Sequence, residues 1–268
     1  MGGVGERRSR SKGEGIEFED HRPYQFGDDL RRVDPHLFAR FGEAFVRQYN
    51  VTQRLNVTLL LDASRSMASG VPSKMRMAAH IAQGLAFVAL AGSDLVQVGV
   101  LNGGRLHWRQ GQSGLSRSSE LEVWLDSWQG LGDTDLLALV NASRSRLQPG
   151  SLTIIISDFW SDSSLQAIDA LAAAQQAIVA VHVLSPEEIS PHLHGDSQLR
   201  LIDVESGEEV DISIGAAELE SYRALLADWT AELKARVFAA RGRYLRALSD
   251  QPLEQLFLKS LPEAGVLR

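Results

Sequence analysis

Apolar and polar residues along this chain fall into short blocks of regular character. The run Val57-Thr58-Leu59-Leu60-Leu61 has almost no polar interruption. Such a run predicts a strand buried on both faces, as in the middle of a parallel sheet. The full strand candidate covers 55–62, and three more lie at 95–101, 152–158 and 177–184. Helix candidates at 73–91, 118–128, 135–147 and 163–174 separate or follow them. Strands alternating with helices of this length predict βαβ units and a mainly parallel sheet with helices on both faces, an α/β fold of Rossmann-like kind.

The flanks read differently. Residues 1–15 are rich in Gly, Ser, Arg and Lys, a composition expected of a disordered tail. Residues 16–54 carry Tyr24, Phe26, Phe38, Phe41, Phe45 and Tyr49, with turn signals at Gly27-Asp28-Asp29 and Asp34-Pro35. A short helix is expected at 35–40. This N-terminal arm is too short to build a core alone, so the expectation is that it packs on the domain formed by 55–268. Segments 198–204 and 209–214 flank Glu205-Ser206-Gly207 and predict an antiparallel hairpin at a sheet edge. Beyond it, Leu219, Tyr222, Leu225, Leu226, Trp229 and Leu233 fall at helical spacing within a long helix at 216–241. A shorter C-terminal helix is expected at 253–261.

Composition narrows the classes. A formal net charge of −7 argues against a general affinity for nucleic acid or anionic membrane. The absence of cysteine removes disulfides, thiolate metal sites and thiol catalysis, and it suits a reducing compartment. The polar N-terminus has no apolar segment of the kind an export signal needs. The most apolar helix candidate, at 78–91, is interrupted by His80 and Gln83 and is too short to cross a bilayer. A soluble, cytoplasmic protein is expected.

The candidate chemistry sits at the end of the first strand. Asp62-Ala63-Ser64-Arg65-Ser66 presents one carboxylate and two hydroxyls at alternating positions, where open α/β sheets place their ligands. These hard oxygen donors suit magnesium or another small divalent cation, such as manganese or calcium, and suit zinc or copper poorly. Taken alone, the segment also reads as an ordinary strand end whose Asp and Ser cap the next helix. Two later segments change the balance. Gly132-Asp133-Thr134-Asp135 puts a threonine hydroxyl in a loop before a helix, and Ile154-Ile155-Ile156-Ser157-Asp158-Phe159 is a second buried strand ending in an aspartate.

This trio resembles the metal-ion-dependent adhesion site of von Willebrand factor A domains. Carried over residue by residue, the resemblance implies a metal set of Asp62, Ser64, Ser66, Thr134 and Asp158. Arg65 stands where such motifs usually have glycine; it donates no side-chain ligand and would instead shape what approaches. Trp160, two residues beyond Asp158, is a candidate contact anchor for a partner. A cation held by two carboxylates and three hydroxyls stays electrophilic toward one more carboxylate, so the open position favours a Glu or Asp of a partner protein. No positioned base or nucleophile accompanies the set, so it reads as a docking device without catalysis.

Further segments resemble the domain-of-unknown-function 58 family: Gly13-Glu14-Gly15-Ile16-Glu17-Phe18, Arg22-Pro23-Tyr24, Gly27-Asp28-Asp29-Leu30-Arg31, Ala39-Arg40 and the tail Leu245-Arg246-Ala247-Leu248-Ser249-Asp250. Asp34-Pro35-His36 departs from the Asp-Trp usual there. The resemblance implies a von Willebrand-type core and, by analogy, an adaptor serving a MoxR-type AAA+ ATPase on a client complex. Many relatives carry transmembrane helices before this region, and this chain is expected to be a soluble form. The alternative is an enzyme, a magnesium-dependent phosphohydrolase with Asp62 as nucleophile. Such enzymes usually place a second acid two residues on, where Ser64 stands, and need a cationic side chain near the phosphate, a role only Arg65 could fill.

Overall fold

The computed structural model describes residues 17–50, 54–133, 135–191, 198–202, 209–213 and 216–267. The tail at 1–15 and Thr134 lie outside the described residues. Two compact units divide between Arg54 and Leu55.

The smaller unit runs β1 (Glu17–Pro23), α1 (Pro35–Phe41) and β2 (Phe45–Asn50), with β1 and β2 antiparallel. Asp34 organises it. Its carboxylate accepts hydrogen bonds from the amides of His36 and Leu37 at the start of α1, where Pro35 has no amide to leave unsatisfied. The same carboxylate bonds Arg47 at 2.9 Å and His21 at 3.1 Å, one residue from each strand. Cap and strand pair thus share one anion.

The larger unit runs β3 (Asn56–Asp62), α2 (Lys74–Ala91), β4 (Leu95–Asn102), β5 (Arg105–Gln112), α3 (Ser118–Asp126), α4 (Leu136–Ser143), β6 (Leu152–Ser157), α5 (Ser164–Ala173) and β7 (Ala177–Leu184). There follow α6 (Pro186–Ile189), β8 (Gln198–Ile202), β9 (Glu209–Ser213), α7 (Ala216–Ala239) and β10 (Arg243–Leu248), then helical turns through Glu263. Six strands form one sheet in the order β10-β7-β6-β3-β4-β5. Every neighbouring pair is parallel except β4–β5.

The apolar runs are central strands for a reason the register makes plain. Leu59 lies between Ile154 and Val98, and all three are buried. Because successive side chains point to opposite faces, Leu59 and Leu61 join one core with α2 and α3, while Leu60 and Ile155 join another with α4, α5 and α7. Each such leucine contributes about 1.5–3 kcal/mol by leaving water. A strand buried on both sides favours apolar residues at nearly every position, and the one polar residue of the run, buried Thr58, is satisfied by a hydrogen bond from Gln97 at 2.8 Å. Leu256, Leu261 and Val266 of the C-terminal turns complete the α2-side core.

One expectation is corrected, and one strand is new. The pair β8–β9 is antiparallel as expected, but it forms its own two-stranded sheet and is not at an edge of the main one. The edges are β5 and β10. Strand β5 is absent from the apolar pattern because its residues are half-exposed or exposed along its whole length, with Leu106 and Trp108 packing on one core and His107 and Arg109 on Trp128 and Trp124 beside the other.

Candidate metal centre

Parallel strands β3 and β6 are neighbours, so their carboxyl ends emerge together. Asp62 ends β3 in a local turn: its Oδ1 accepts from the Ser64 amide at 2.9 Å, which stops the strand and turns the chain across the end of the sheet. Its Oδ2 accepts from the Ser157 hydroxyl, the last residue of β6, at 2.6 Å. The next residue, Asp158, accepts from the Trp160 amide at 3.3 Å on Oδ1. Both carboxylates are buried, each about 2 % exposed, which fixes their rotamers at the carboxyl end of the sheet.

The hydroxyls come from the same turn. Ser64 Oγ and Ser66 Oγ are hydrogen-bonded to each other at 2.9 Å. Adjacent ligands of an octahedral magnesium ion, each about 2.1 Å from the metal, are separated by roughly 2.9–3.0 Å. The pair therefore has the spacing such an ion needs from two cis ligands. Arg65, between them, is exposed at the rim.

The loop before α4 is stitched to this turn by backbone. Arg65 donates its amide to the Gly132 carbonyl at 2.8 Å, and Leu131 donates to Ala63 at 2.9 Å. Asn102, at the end of β4, clamps both segments by donating to the carbonyls of Ala63 at 3.0 Å and Gln129 at 2.6 Å. Gly130 sits so close that a Cβ there would fall 2.2 Å from the Ser64 carbonyl oxygen and 2.8 Å from the Ala68 nitrogen. Asp135 caps α4 and accepts from Ser163 at 2.6 Å; that hydrogen bond, with those from backbone amides, lowers its pKa. Thr134 itself, between these fixed points, is not among the described residues.

Lys74, at the first turn of α2, carries no signal in the sequence. It is 1 % exposed and donates to Asp158 Oδ2 at 2.7 Å and to Glu188 Oε1 at 2.5 Å. Burial opposes its charge, and the two carboxylates outweigh that penalty, so its pKa is raised and it stays an ammonium. Glu188 is itself fixed: its other oxygen accepts from the Ser185 amide at 2.7 Å in the cap of α6, and Trp160 Nε1 donates to it at 3.2 Å. Trp160 is 39 % exposed, so it stands at the rim beside the site while tied to this network.

Among the described residues, no three His, Cys, Asp or Glu side chains cluster to hold an ion. Any cation here would rest on two carboxylates and on hydroxyls, a hard oxygen set that fits magnesium or manganese. Asp62, Ser64, Ser66 and Asp158 are brought together at the carboxyl ends of β3 and β6; Arg65 and Trp160 flank them.

A mainly parallel sheet grown outward from β3 in both directions, with a single antiparallel edge strand and this turn at its carboxyl end, is an α/β architecture of Rossmann-like kind. The model of the family described as "Protein of unknown function DUF58" matches residues 20–232, and the chain belongs to that family. It is 27 % identical over 241 residues to the uncharacterized protein Rv1480 of Mycobacterium tuberculosis, covering 88 % of this chain and 75 % of that one. Among solved structures it is similar to BatB of Bacteroides thetaiotaomicron, with TM-score 0.48 and 17 % identity over 78 % of this chain and 98 % of that one. It is also similar to the SpRpn10 VWA domain, with TM-score 0.36 and 8 % identity over 49 % and 76 % of the respective chains. No helix among the described residues is long and apolar enough to cross a membrane.

Proposed function

We propose that this chain is a protein-interaction module whose docking depends on a divalent cation, magnesium foremost, held by Asp62, Ser64, Ser66 and Asp158 with Thr134 completing the set. The reading rests on one observation above all: buried Asp62, the Ser64–Ser66 hydroxyl pair and Asp158 stand together at the carboxyl ends of the adjacent strands β3 and β6. When bound, the ion supplies a Lewis-acidic position for one more oxygen ligand. The residues of this chain do the rest. Ser157 and the Ser64 amide orient Asp62, Asn102 and the Gly130 contact hold the neighbouring loop, and Arg65 and Trp160 line the approach. A partner's Glu or Asp is the ligand such a site favours, and exposed Arg65 beside it adds attraction for an acidic segment.

By family analogy the partner is a client complex handled together with a MoxR-type AAA+ ATPase, and the role is that of an adaptor. Lys74, 1 % exposed and bonded to Asp158 and Glu188, is not placed to meet a substrate phosphate, so the phosphohydrolase alternative would depend on exposed Arg65.

Affinity capture of the tagged protein in magnesium and in EDTA tests this. The same bound protein should appear with magnesium, vanish with EDTA, and be absent in both from a folded Asp62→Ala variant. Equal capture in all arms contradicts the proposal.

A further inference from the structure

Lys74 is fully buried, which a lysine tolerates only when paired, and here the partners are two acids. Its charge also stands in the first turn of a helix, where the dipole opposes it. A buried cation set against the dipole beside the candidate site points to a functional or strained position. Its ammonium holds Asp158 Oδ2 and Glu188 Oε1 together, and these acids lie 84 and 114 residues away along the chain.

Resting on the cation site proposed above, we infer that Lys74 is a positioning residue that sets how strongly this chain alone holds a divalent ion. The ammonium neutralises Asp158 in advance, so an arriving ion must share that carboxylate with a resident charge. Glu188 is the counterweight. It draws the ammonium toward α6, and the α6 cap keeps its own carboxylate in place. A dication facing Asp62 and a half-claimed Asp158 is incompletely neutralised, and the missing negative charge is what a partner carboxylate brings. Weak ion binding by the isolated chain and a demand for an acidic partner thus have one cause.

The two ends of the pair have opposite signs. Lys74→Met removes the competitor, and Glu188→Gln leaves the ammonium to Asp158 alone. Removing a unit charge within hydrogen-bonding reach of a buried carboxylate is expected to change its affinity for a cation by about a decade. Manganese binding to the full chain, read by calorimetry, is expected to tighten by roughly tenfold in Lys74→Met, about 1.4 kcal/mol. In Glu188→Gln it should weaken by a few-fold on the same electrostatic grounds.

Lys74→Met also strands two acids, so its melting is followed with and without manganese. The metal-free form should melt below the wild type, and manganese should raise its melting temperature more than it raises the wild type's. If Lys74→Met is too unstable to titrate, Glu188→Gln decides: affinity equal to or above the wild type's overturns the inference. So does a folded Lys74→Met that binds manganese no more tightly than the wild type. Asp62→Ala separates the two levels. If it binds manganese as the wild type does, the cation site itself is wrong; if it loses binding while Lys74→Met changes nothing, only the role of Lys74 falls.

Discussion

Asp34 and Asp158 are carboxylates held by the same physics in different units, each buried, each paired with a cation and each accepting a backbone amide. At Asp34 the Arg47 hydrogen bond, aided by His21 and the amides of His36 and Leu37, holds the carboxyl well below the usual carboxylate range. A carboxyl whose pKa is lowered by folding contributes stability that is complete above its unfolded pKa, near 4, and is lost as pH falls toward the folded value. The protection factors of the His36 and Leu37 amides, each rate referred to the unfolded-chain rate at the same pH, should therefore fall as pH drops below about 4. Asp34→Asn should already exchange faster at neutral pH and depend less on acid; an unchanged profile would contradict the assignment. At this scale Asp62, Ser64, Ser66 and Asp158 are legible in the sequence, because three of them share one short segment and the fourth follows a run of isoleucines. Lys74 and Glu188 are not. Lys74 precedes an apolar helix face and looks like an ordinary exposed first-turn residue, and no local pattern ties it to an acid 84 positions on.

Among the elements, legibility depends on burial. Strands β3, β4, β6 and β7 are buried on both faces and announce themselves as apolar runs, and α2 begins one residue from its expected start after the Ser73 cap. Strand β10, Arg-Tyr-Leu-Arg-Ala-Leu, alternates in burial at the sheet's other edge and reads in the sequence only as part of the tail. Placement of β8–β9 fails for another reason: two segments reveal that they pair with each other, and nothing local says which sheet, if any, they join. The loop before α4 carries its own prediction. Gly130→Ala drives a methyl into backbone atoms of Ser64 and Ala68, which cannot yield as a side-chain tip would. A stability loss of about 1–3 kcal/mol in urea unfolding is expected, together with weaker manganese binding because the turn bearing Ser64 must shift. Wild-type values for both would mean that the loop is not pinned to that turn.

On the scale of the whole molecule, the sheet of the larger unit is covered on both faces by its own helices and C-terminal turns. The fragment 55–268 is therefore expected to unfold cooperatively by itself, with near-ultraviolet dichroism from its tryptophans lost in a single transition. A fragment with native-like helix content and no fixed aromatic signal would show that the core depends on residues 1–54. The account's central claim is that a cation joins Asp62, the Ser64–Ser66 pair and Asp158. Its most direct test is a crystal of the chain grown with manganese and measured at the manganese absorption edge. One anomalous peak bonded to the Ser64 and Ser66 hydroxyls, and absent from Asp62→Ala crystals, is predicted. Saturating manganese with no peak at that end of the sheet, or with the ion bound elsewhere, would contradict the account.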